Sequence, residues 1–110
     1  MALTLYGLKN CDTCKKAMKA LDAAGKAYAF VDIRAEANLE DLVPNWLERA
    51  GADLLINRRS TTWRNLSDAE RETAPLTLLV ANPTLVKRPV IETGSDLHIG
   101  WTKDVQAALL

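Results

Sequence analysis

A chain of 110 residues, 48% hydrophobic and 25% charged, with no net charge, is long enough to bury a core of its own and reads as one domain over 1–110. The charge balance argues against direct nucleic-acid binding. No apolar run approaches the roughly 18 residues a membrane span needs, and the N-terminus lacks a secretory pattern, so a cytoplasmic protein, expected as a monomer, is the starting point.

In chain order, "LTLY" (3–6) predicts a short strand. Cys14, Ala17, Met18 and Leu21 then fall on one helical stripe, with Gly25 as a stop. "AYAFVDI" (27–33) is apolar, aromatic and β-branched, which predicts a second strand. Asn38 is placed to cap a helix whose inner face is Leu39, Leu42, Val43, Trp46, Leu47 and Ala50, ended by Gly51. Ser67 and Glu70 form a capping-box pattern for a short helix. Pro75 suits the first turn of another, with Leu76, Leu79 and Val80 expected inward, and "ANPT" ends it. "PVIE" (89–92) and "LHIG" (97–100) flank a four-residue turn and predict a hairpin. Thr102 is placed to cap a last helix through Val105, Ala108 and Leu109. A βαβ start and a ββα finish predict a mixed α/β protein. The order is compatible with a thioredoxin-like fold carrying an inserted helical subdomain, with the core at about 1–36 and 85–110 and the insert at about 37–84.

The only two cysteines, Cys11 and Cys14, stand at C-x-x-C spacing where the first strand gives way to the first helix. Zinc wants four ligands, and the pair with the single His98 cannot supply them, so no metal is expected. Two readings remain. Cys14 suits an inert core thiol, because it begins the buried stripe. Cys11 does not, because it precedes the helix, where free N–H groups and the helix dipole favour a thiolate. Lys9, Lys15 and Lys16 add positive potential there, while Asp12 opposes it. Cys14, one turn on, is within reach for a disulfide after modest rearrangement.

Charge is unevenly spread. Residues 1–31 hold five Lys against two Asp, 54–66 hold Arg58, Arg59 and Arg64 with no acid, and 77–91 hold Lys87 and Arg88 with no acid. These segments either fold into one cationic site or form ordinary surface charge. Trp46 and Trp101 read as packing residues. Trp63, among arginines, either packs under the basic loop or stacks on one of them. His98 is expected to be a surface or partly buried structural residue.

"LYGLKNCDTCKKA" (5–17), "LINRRSTTWRNL" (55–66) and "ANPTLVKRPVIETG" (81–94), in this order over essentially the whole chain, resemble the ArsC/Spx family, and most of all its short YffB branch of ArsC-related proteins. The resemblance implies a thioredoxin-like fold with a helical insert and a glutathione-dependent thiol reductase that holds no bound cofactor and uses glutathione as co-substrate. Cys11 matches the family's reactive cysteine, with Cys14 or glutathione resolving. Arg88 matches an arginine that contacts the oxyanion near that cysteine, and Pro89 a cis proline. Arg58 and Arg59 occupy the stretch where arsenate reductases carry another binding arginine. Lys9 and Asn10, directly before Cys11, complete the expected substrate-binding set. Arsenate reductases carry a third oxyanion-binding arginine where this chain reads "LHIGW", and a His-Asn-Pro stretch where it has Gly7, Leu8, Lys9 and Asn10. Both departures speak against arsenate reduction. A C-x-x-C pair is also the redox switch of Spx regulators, which implies an alternative: a redox-switched protein that binds the C-terminal domain of the RNA polymerase α chain.

Overall fold

The computed structural model describes residues 3–110. The chain divides into two compact units. One runs to Ala37 and resumes over Arg88–Leu110, and the other is Asn38–Lys87.

The first unit holds β1 (Leu3–Gly7), α1 (Asp12–Ala23), β2 (Tyr28–Asp32), β3 (Val90–Glu92), β4 (Leu97–Ile99) and α7 (Lys103–Leu109). The strands form one sheet in the order β2-β1-β3-β4. β1 and β2 are parallel, as a helical crossover requires, and the other two pairings are antiparallel. Alternation puts Leu3 and Leu5 of β1 on one face, beside Ile91 of β3. Ala17 and Leu21 of α1 and Val105 and Leu109 of α7 close over that face to make the core. α1 ends as its sequence requires. Gly25 takes φ 71°, and the amides of Gly25 and Lys26 return to Asp22 and Leu21 at 3.1 and 2.9 Å. Thr102 caps α7 by accepting the Val105 amide at 3.3 Å. Ala108, expected inward, is exposed, because a seven-residue helix turns only its Val105–Leu109 edge to the sheet.

The second unit holds α2 (Leu39–Ala50), α3 (Ala52–Leu55), α4 (Thr61–Arg64), α5 (Asp68–Arg71), α6 (Pro75–Ala81) and a 3-10 turn at Pro83–Leu85. Leu39, Val43 and Trp46 form the buried stripe of α2. Asn38 holds the capping position, but its side chain makes no cap and donates instead to Asp41 Oδ2 at 2.9 Å. The Ser67–Glu70 capping box of α5 is complete in both directions. α6 buries Leu78 and Leu79 and leaves Leu76, expected inward, 39% exposed. In the near-continuous apolar run "LTLLVA", the helical period alone does not single out which stripe meets α2. The one-turn helices α3 and α4 have no periodicity long enough to announce them. No helix among the described residues is long and apolar enough to cross a membrane.

Candidate active site

The end of β1 and the start of α1 define the site. After Gly7 the chain turns through Leu8, Lys9 and Asn10, and the Cys11 amide closes the turn on the Leu8 carbonyl at 3.2 Å. Cys11 then stands at the N-cap of α1 in extended backbone (φ −89°, ψ 121°). Its carbonyl accepts the first helical bond from Lys15 at 3.0 Å. Cys11 is half-buried and reachable, whereas Cys14, on the buried stripe of α1, is 0% exposed. The two thiols are free of any disulfide.

β3 completes the site from far along the chain. Val90 pairs with Tyr6, so the residues just before β3 arrive at the end of β1 where the cysteine turn begins. Arg88 is one of them. The Arg88–Pro89 peptide is cis, and the Pro89 carbonyl accepts the Gly100 amide at 2.8 Å. Pro89 is fully buried.

This arrangement separates the two thiols electrostatically. Burial works to raise the pKa of Cys11. The Cys14 backbone N–H, the Cys14 thiol and the charge and hydrogen bond of the Arg88 guanidinium outweigh it, and Cys11 is held below its ordinary value. Cys14 goes the other way. Burial, the larger influence, pushes it up to about 12, the neighbouring Cys11 adds to the rise, and the Leu8 amide and Arg88 only partly oppose it. One thiol is therefore poised to be a nucleophile and its neighbour to remain protonated and donate.

Cys11, Cys14, Arg88 and Pro89 thus come together in the first unit. Lys9 and Asn10 lie exposed on the turn leading into Cys11. Arg58 and Arg59 are exposed in the second unit, where they line a cavity of about 300 Å³ with Asp53, Ile56, Asn57 and Lys87. Arg58 pairs with Asp53 at 3.2 Å. The Asp53 side chain is fully exposed, so the pair contributes little. Trp63 does stack on arginine, with the guanidinium carbons of Arg58 and Arg71 each 5.4 Å from its ring. Arg71 also donates to the Trp63 carbonyl at 3.1 and 3.2 Å and to the Arg64 carbonyl at 3.2 Å. That bracing role is invisible in the sequence, because its partners are backbone groups of another helix. His98 is half-buried and lines a second cavity of about 300 Å³ with Leu3, Lys26, Thr93, Asp96 and Leu109. That cavity contains no cysteine, and Thr93 and Asp96 bond to each other there to close the hairpin turn. Among the described residues no group of three or more His, Cys, Asp or Glu could hold a metal ion.

Residues 6–109 match the family model of ArsC. The chain belongs to the ArsC family. An uncharacterised protein of Haemophilus influenzae is 42% identical over 115 residues, covering 96% of this chain and 97% of that one. The global transcriptional regulator Spx of Listeria monocytogenes is 30% identical over 93% of this chain and 82% of its own. Among solved structures, the YffB protein superposes with a TM-score of 0.90 at 36% identity, covering 98% of each chain. A glutaredoxin of Archaeoglobus fulgidus, 15% identical with a TM-score of 0.53 over 97% of this chain and 83% of that one, shares the fold alone. This ArsC-family protein therefore has the mixed α/β, thioredoxin-like fold that its element order suggested. Family membership, together with the paired thiols, supports a redox-related function.

Proposed function

We propose that this ArsC-family protein is a glutathione-dependent thiol–disulfide oxidoreductase with Cys11 as its nucleophile. The observation that carries the proposal is the asymmetry of the thiol pair: a reachable sulfur held below its ordinary pKa beside Arg88, and a buried, protonated one next to it. The Cys11 thiolate attacks one sulfur of a disulfide or glutathionylated thiol. The S–S bond breaks, a mixed disulfide forms on Cys11, and the other sulfur leaves as a thiolate. Glutathione thiolate attacking the outer sulfur of the mixed disulfide releases the Cys11 thiolate. If Cys14 resolves instead, after a local rearrangement that frees and deprotonates it, it attacks the Cys11 sulfur and the substrate thiol leaves. The Cys11–Cys14 disulfide that remains is then reduced by two glutathione thiols. With glutathione resolving a glutathionyl adduct, one free glutathione is consumed, the glutathionylated thiol is reduced and glutathione disulfide is released; a substrate disulfide without glutathione takes two glutathione thiols.

Arg88 stabilises the Cys11 thiolate and attracts an anionic substrate group such as a glutathione carboxylate. Lys9 and Asn10, exposed beside Cys11, supply a charge and an amide on the approach to the sulfur. Arg58 and Arg59 are assigned to anion binding on the strength of their charge and the cavity they line. The test is glutathione-dependent reduction of a small model disulfide. Wild-type turnover should far exceed that of Cys11→Ser, and equal rates would end the proposal. For Arg58→Ala and Arg59→Ala, a raised KM for glutathione is expected, and an unchanged one withdraws their assignment to anion binding.

A second reading draws on the likeness to Spx across nearly the whole chain. Here the pair would be a redox switch on a surface that binds the C-terminal domain of the RNA polymerase α chain. Titration of that purified domain against the reduced and oxidised protein distinguishes the two readings. Absence of binding in both states excludes the switch.

A further inference from the structure

Gly7 closes β1, and its backbone gives no reason for it to be glycine. The glycines with positive φ are Gly25, Gly51 and Gly100, so Gly7 lies in a conformation open to other residues. The constraint on it is spatial. A Cβ at this position would lie 2.5 Å from the Cys14 sulfur, 3.4 Å from Cys14 Cβ and 3.5 Å from a Leu5 methyl. The second and third distances are at the edge of ordinary van der Waals contact, and the first is not tolerable. The sulfur has no simple retreat, because Cys14 is 0% exposed and lies on the core stripe of α1 with Ala17 and Leu21. The Leu8 amide also points at it from the same turn. One atom of one residue, the sulfur of Cys14, thus accounts for the absence of a side chain at position 7.

We propose that Gly7 is a positioning residue for the reactive thiol: the space it leaves lets the Cys14 sulfur seat at the end of β1, where its S–H is directed to the Cys11 sulfur. This rests on the reading of Cys11 as a reactive thiolate, and it adds what holds that thiolate's donor in place. Any side chain at position 7 displaces the Cys14 sulfur from this seat. The displacement withdraws the S–H from Cys11 and weakens its ionisation, although position 7 itself carries no charge or polar side-chain group.

The test is a double-mutant cycle read by thiolate absorbance at 240 nm across pH, with urea unfolding of each variant alongside. Neither measurement needs glutathione or a substrate, so the outcome is separate from that of the turnover assay. Gly7→Ala should reduce the Cys11 thiolate fraction at a fixed pH below its midpoint by a factor on the order of ten, and should lower the urea midpoint. In a Cys14→Ala background the offending sulfur is gone. There Gly7→Ala should change the thiolate fraction by less than about twofold and should leave the midpoint nearly unmoved. Cys14→Ser, which keeps a donor in the same place, should preserve more of the Cys11 ionisation than Cys14→Ala does. Equal effects of Gly7→Ala in the two backgrounds would overturn the proposal, as would an unchanged Cys11 titration in a folded Gly7→Ala protein. Should Gly7→Ala alone fail to fold, refolding of the Gly7→Ala/Cys14→Ala double variant supports the steric half, and the Cys14→Ser and Cys14→Ala titrations decide the electrostatic half. Failure of the double variant to fold would refute it.

Discussion

The buried thiol makes stability fall with pH in a way that one substitution should abolish. Folding keeps Cys14 protonated up to about 12, against an ordinary value of 9.0. In the unfolded chain the same thiol ionises near its ordinary value. Between these two values the unfolded state has lost a proton that the folded state keeps, so this contribution is fully present below pH 9 and disappears as pH rises towards 12. The slope approaches about 1.4 kcal/mol per pH unit, or roughly 4 kcal/mol over the whole interval, an order-of-magnitude figure. Cys11 complicates the wild type, because it titrates in the opposite sense and raises the pKa of its neighbour. The clean comparison is therefore Cys11→Ser against Cys11→Ser/Cys14→Ala, where burial, the larger cause, still acts on Cys14. At pH 8 the Ala variant should be the less stable by about 1–2 kcal/mol, from a small buried volume left unfilled. By pH 11 the order should be reversed, because only the variant with Cys14 has lost ground. Urea unfolding under reductant, measured at half-unit steps from pH 7.5 to 11.5, gives both curves. Tyrosine and lysine titrations are common to the two proteins and cancel in the difference. Parallel curves over this range would refute the reasoning, since they would mean that the Cys14 sulfur ionises as readily in the folded protein as outside it.

Other consequences follow from single contacts. Arg88→Met removes a cation beside Cys11, and alkylation by iodoacetamide at mildly acid pH should slow by a factor on the order of ten, with the pH–rate profile moved to higher pH. Trp63→Ala deletes the surface on which Arg58 and Arg71 both stack, and should cost about 1–2 kcal/mol in urea unfolding. Ser67→Ala breaks the capping box of a four-residue helix, and a loss of about 1 kcal/mol is expected. Leu5→Ala, at a fully buried position between α1 and α7, should cost about 3 kcal/mol in the same assay.

Local chemistry alone determined much of this protein. A strand, a C-x-x-C turn and a helix in that order are written in residues 3–23. So is the stop at Gly25, because only a residue without Cβ takes a positive φ cheaply. The caps at Ser67 and Thr102 are equally local, since a hydroxyl reaches an amide three residues on. These features depend on neighbours within a turn or two of the helix. Packing decided the rest. Cys11 and Cys14 are the same residue type three positions apart, and the sequence left open whether either was inert. The core closing over α1 made one an accessible acid and the other a sealed donor. Arg88 reached the thiols only because β3 pairs with β1, a contact between distant segments. The inward stripe of α6 waited on where α2 lay. The glycine at position 7 looked like an ordinary strand ending until the sulfur beside it was located. Burial and electrostatic potential sum over atoms from the whole unit, so a local window of sequence could name the candidates for reactivity without assigning their roles.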